Sequence, residues 1–195
     1  MKVCQIRKEA GVFKAPASLI IFYFFFVLLD LYTTWITTPD LKYESNWIIN
    51  YFKLNWSLII LLALLFALGI GILFVVSSWK LNQILSDENF ILQYKFNSYL
   101  QSLLLKKIFL SILVIIVFYS HFFISIVASI TNFLNYIYLN HSESFLYKFA
   151  LVLVHLQTFF SPYFHLYLNI LIVVFVVFGI LNKYKRCFIV AGLHK

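Results

Sequence analysis

Asp30 ends the run SLIIFYFFFVLLD, residues 18–30, where an ionised carboxylate is costly unless it is protonated, paired or in use. Thr33, Thr34 and Thr37 follow it at i+3, i+4 and i+7, so all four lie on one face of a helix. Tyr23 and Phe26 extend that face toward the N-terminus. A second stripe runs His121, Ser125, Ser129 and Asn132, and His165 with Asn169 makes a third, one turn apart. A carboxylate, imidazoles and amides of this kind suit a proton, a cation, a lipid headgroup or another small polar ligand.

A ruler of about 1.5 Å per helical residue places these groups relative to flanking lysines. Asp30 comes to about 24 Å above Lys14, His121 to about 21 Å above Lys107, Asn169 to about 21 Å above Lys183 and His165 to about 27 Å. The expectation is one polar layer built from three helices. The segment IILLALLFALGIGILFVV brings only Gly69 and Gly71 to it, both read as sites of close helix packing.

The loop after the first stripe adds more oxygen. Thr38-Pro39-Asp40 reads as the start of a short helix, with a hydroxyl cap and proline in its first turn. Asp40 and Glu44 would then be i, i+4 neighbours, a repulsive pair unless a cation or proton intervenes, and Asn46 follows. The pocket expected from sequence therefore comprises Asp30, Thr33, Thr34, Asp40, Glu44, Asn46, His121, His165 and Asn169.

The same residues fit other chemistry as well. Asp30 also fits a structural role, as a neutral or hydrogen-bonded acid, and membrane threonines commonly bond back to the carbonyl one turn earlier. Asp30, Glu44, His121 and His165 have the chemistry of divalent-metal ligands, as in a membrane-embedded metal-dependent hydrolase acting near the outer surface, but no H-x-x-x-H spacing pairs them. Ser120 or Ser125 with a histidine and Asp30 would make a nucleophilic triad, yet no G-x-S-x-G elbow presents the serine. Glycine-rich phosphate loops, dinucleotide fingerprints and C-x-x-C pairs are missing. No catalytic residue is assigned, and apart from the metal of the hydrolase reading no cofactor is expected.

The elements that position these residues follow from composition. The chain has 195 residues, 63% hydrophobic and 11% charged, and its mean hydropathy is +0.94. Soluble domains are about 45–50% apolar and about 25% charged, so this is an integral membrane protein. A span needs about 20 mostly apolar residues. Four segments qualify, 17–36, 57–76, 108–131 and 163–181, and a shorter run at 149–160 ends before Pro162. The fold expected is all-α, one membrane domain over 1–195, a four-helix bundle with a short interfacial or re-entrant helix before the last span.

The formal net charge of +8 is spread in short groups beside the apolar segments instead of forming one basic face, so nucleic acid is not the expected partner. Twelve of the Lys and Arg residues flank the two termini and the loop near 80–107, against three, Lys42, Lys53 and Lys148, on the other side. By the positive-inside rule both termini are cytoplasmic. Trp35, Trp47 and Trp56 gather at the outer boundary and Trp79 at the inner one. Within the cytoplasmic loop, Ser86 can cap an amphipathic helix over about 87–106 that turns into the third span. Cys4 and Cys187 would lie in a reducing compartment and support no disulfide. The expected partners are the lipid bilayer and a membrane-protein partner or a second copy of the chain.

The pattern D-x-x-T-T followed by P-D-L-x-x-E-x-N, here Asp30, Thr33, Thr34, Pro39, Asp40, Leu41, Glu44 and Asn46, resembles an uncharacterised family of small multi-pass bacterial membrane proteins. Those proteins often read N-P where this chain has Asn46-Trp47. The resemblance covers about 20 of the 195 residues. It implies a bacterial inner-membrane protein of about four helices, and implies no activity.

Overall fold

The structure is a computed structural model and describes residues 17–40, 51, 54–86, 98–160 and 164–190. The helices whose bounds fall within these residues are α1 (Ala17–Thr37), α2 (Trp56–Ser86), α3 (Ser98–Asn140), α4 (Tyr147–Phe160) and α5 (Phe164–Val190). The protein is an all-α integral membrane helical bundle. Among the described residues four helices are long and apolar enough to cross a bilayer, over Ala17–Thr37, Trp56–Ile84, Lys106–Asn140 and Phe164–Asn182. Helix α4, with 14 residues, is the short element expected before the last span; its length of about 21 Å falls short of about 30 Å of hydrocarbon.

The helices overrun the spans expected from hydropathy. Helix α2 continues through SSWKLNQI, and α3 continues through TNFLNYIYLN to Asn140. Hydropathy marks where the apolar run stops, whereas a helix stops where its backbone hydrogen bonds stop, and polar residues interrupt only the former. The same reason revises the amphipathic segment. Residues 98–106 are the first turns of α3, which runs through Lys106 and Lys107 without the expected turn. Residues 87–97 lie outside the described residues.

Local capping explains several boundaries. Asn55 caps α2: its Oδ1 accepts from the backbone N of Leu58 at 3.0 Å, and its carbonyl from that of Ile59 at 3.0 Å. At the end of α1 the Thr38 backbone N donates to Thr34 O at 2.8 Å, and its hydroxyl to the same carbonyl at 3.0 Å. The hydroxyl expected to open a new helix at Thr38 is thus used to close the old one. Pro39 and Asp40 form a turn, and the Trp56 indole donates to Pro39 O at 2.8 Å, tying this turn to the start of α2. Between α3 and α4, Ser144 accepts from the backbone N of Tyr147, and its hydroxyl oxygen from that of Leu146. Tyr138 and Tyr147 stack across that turn with centroids 5.7 Å apart.

The chain divides into two compact units. One comprises Met1–Ile20, Gly69–Ser120 and Val173–Lys195, the other Ile21–Leu68 and His121–Ile172. The first is held by aliphatic and aromatic packing. Phe74 and Phe118, both buried, stack with centroids 3.8 Å apart, and Tyr119 meets Phe74 edge-on. Leu81, Ile108, Ile112, Ile115, Val176 and Ile180 are buried in the same unit. The second unit has a different interior. Tyr23, Val27, Ala67, Ile137 and Ala150 share it with buried Thr33, Ser125, Ser129 and Thr131.

Candidate functional site

The polar interior of the second unit is a seam between α1 and α3. Thr33 Oγ1 and Thr34 Oγ1 both donate to the Asp30 carbonyl, at 3.1 and 2.8 Å. Thr37 Oγ1 lies 2.7 Å from Thr33 O and 3.1 Å from Asn132 O and shares its one proton between them. Three threonine hydroxyls therefore serve helix backbone, as membrane threonines commonly do. At this level Asn132 supplies a link between side chains. Its Nδ2 donates to Thr34 Oγ1 at 2.8 Å and lies 3.4 Å from Asp30 Oδ1. Below this on the same helix face, Ser129 Oγ lies 2.7 Å from Ser125 O and 3.4 Å from Phe26 O, a further approach of α3 to α1.

His121 occupies a different level. Its Nδ1 lies 3.1 Å from the hydroxyl of Tyr23, which is fully buried; with the ring proton on Nε2, Tyr23 donates to Nδ1. Phe66 of α2 meets the imidazole edge-on with centroids 5.3 Å apart, and Tyr23 meets it at 5.6 Å. Tyr23 and Asp30 are seven residues apart on α1, about 10 Å along its axis. The expected common layer of Asp30 and His121 is therefore split into two levels. The reason lies in the ruler: Lys107 sits inside a helix that begins at Ser98, so it does not mark a common zero of height.

His165 is exposed and Asn169 half-buried, one turn apart on α5. Asp40 is exposed on the turn after α1, and Glu44 and Asn46 lie outside the described residues. Asn132, on the stripe of His121 but outside the pocket expected from sequence, joins α1 and α3 at the level of Asp30. The signal for it was present: it continues the stripe of Ser125 and Ser129 at helical spacing.

Among the described residues no three His, Cys, Asp or Glu side chains come together in a group that could hold a metal ion. Ser120 Oγ is buried with no hydrogen-bond partner among the described residues, so no base is aimed at it. What the seam can do is hold two helices together through side-chain hydrogen bonds and offer a carboxylate, flanked by an amide, to a cation or a proton. No protein-family model, no curated protein and no solved structure matches this chain.

Proposed function

We propose that this chain is a non-enzymatic multi-pass membrane protein whose α1–α3 seam binds a small cation or a proton at Asp30. The supporting observation is the Asn132 amide placed between Thr34 Oγ1 and Asp30 Oδ1. The site is rich in oxygen acceptors with one amide donor, which favours a cationic ligand over an anionic headgroup or a neutral solute. The ligand set of a metal-dependent hydrolase, Asp30, Glu44, His121 and His165, finds less support, because Tyr23 holds His121 about two turns away from Asp30.

Both termini are proposed to be cytoplasmic, from the distribution of Lys and Arg, in a bacterial inner membrane, from the resemblance around Asp30. The pocket then lies in the outer half of the bilayer, and α4 at its outer surface. A second role, support of a membrane-protein complex or a homo-oligomer, draws on the last span, Phe164–Asn182, where Val176 and Ile180 are buried and most other residues are exposed. Helix surface of that kind faces either lipid or another protein.

Asp30→Asn tests the cation site, since it keeps the size and one acceptor oxygen while removing the charge. The purified protein should melt at a temperature that responds to added monovalent or divalent cations and to pH, and the variant should fold but lose that response. An Asp30→Asn protein with the wild-type response would remove Asp30 from the site.

A further inference from the structure

The first unit, built from 69–120 with flanking segments, carries a feature that the seam does not involve. A cavity of about 920 Å³ lies between α2 and α3 within this unit. Its polar end has Lys80 and Lys107, both exposed, with the buried serines Ser77 and Ser111 beneath them. Its other end is walled by Leu73, Val76 and Val114, one to two turns further into the apolar spans. Lys80 falls near the end of the candidate span Trp56–Ile84 and Lys107 at the start of Lys106–Asn140, so the charged end is at the edge of the apolar zone.

Two positive charges on facing helices repel unless something negative lies between them. The described side chains of this unit include no Asp or Glu to do so. The volume falls within the range of about 300–1,000 Å³ typical of ligand pockets, far more room than an inorganic anion needs. A ligand that matches both ends has an anionic head and a hydrocarbon tail.

We infer that the groove between α2 and α3 binds an anionic phospholipid, with its phosphate between Lys80 and Lys107 and within reach of the Ser77 and Ser111 hydroxyls. One acyl chain lies along Leu73, Val76 and Val114. The bilayer is the source, because a soluble phosphate would leave the apolar wall uncovered. In the orientation proposed above the lysine end meets the cytoplasmic leaflet, which is rich in anionic lipid; only the leaflet rests on that orientation.

The test is lipid retention by the purified full chain, read by native mass spectrometry in detergent with phosphatidylglycerol or phosphatidylcholine added. Phosphatidylglycerol should be retained in preference to phosphatidylcholine, and inorganic phosphate should fail to displace it. Lys80→Gln and Lys107→Gln should each weaken phosphatidylglycerol binding about fivefold, while the arginine replacements keep it. Both lysines are exposed, so these changes leave the packed interior alone. Ser111→Leu fills the groove without altering charge and should give a comparable loss. Equal retention of the two lipids, displacement by inorganic phosphate, or a double glutamine variant that binds like the wild type would each overturn the inference.

Discussion

Asn132 is the residue on which the seam turns, because one amide serves acceptors at two positions of α1. An interhelical hydrogen bond in a membrane contributes about 0.6 kcal/mol on average and up to about 1.7 kcal/mol. Thr34→Val keeps the side-chain shape and removes the acceptor of Asn132 together with a donor to the Asp30 carbonyl, which Thr33 still serves, so it should cost about 0.6 kcal/mol. Asn132→Leu removes both contacts and should cost about 1–2 kcal/mol. Steric trapping in lipid bicelles measures both values. If Asn132→Leu proved no worse than Thr34→Val, the 3.4 Å approach to Asp30 Oδ1 would contribute nothing to stability. Asp30 and its threonines could be found from residue type and spacing. Their partner could not, since sequence places Asn132 on a stripe without giving the rotation of α3 about its axis.

At the scale of elements, the glycines of α2 separate sequence expectation from packing. Gly69, expected as a place of close helix approach, is not one among the described residues: a Cβ there would meet nothing within 4 Å. The residue is exposed on a helix of 31 residues, so its missing side chain opens no contact within the chain. Gly69→Ala should therefore be neutral or stabilise the fold by up to about 1 kcal/mol, through helix propensity alone. A clear loss of stability would mean that another chain packs on that face, and cross-linking of the wild type would then show the oligomer. Contact in α2 comes from buried small residues, Ala67, Gly71, Ser77 and Ser78, beside large ones, with Phe74 stacked on Phe118 and Phe66 edge-on to His121. Small residues permit close approach but do not cause it.

At the scale of the molecule, between 6% and 33% of the residues are buried in the most apolar 18-residue stretch of each candidate span, so most of those residues keep some exposed surface. In a soluble protein such exposure would cause aggregation; in hydrocarbon it costs nothing, because the lipid tails are as apolar as the side chains. The orientation proposed from lysine and arginine is open to direct measurement. In intact expressing cells a membrane-impermeant maleimide should label a cysteine introduced at Ser142, in the exposed turn between α3 and α4, in a variant with Cys4 and Cys187 replaced by serine. The native thiols of the unaltered chain should react only after the membrane is opened, and the opposite pattern would invert the topology. Composition and hydropathy by themselves determined the class, the number of spans and the presence of the short α4, because those depend on sums over many residues that no single contact can upset. They also located Asp30 and its threonine face, since helical spacing is local. Only the tertiary structure decided that Asp30 meets Asn132, that His121 meets Tyr23 two turns away, and that Lys80 and Lys107 share a groove. Each of those depends on the rotation and axial offset of one helix against another, which arise from packing between segments far apart in the chain.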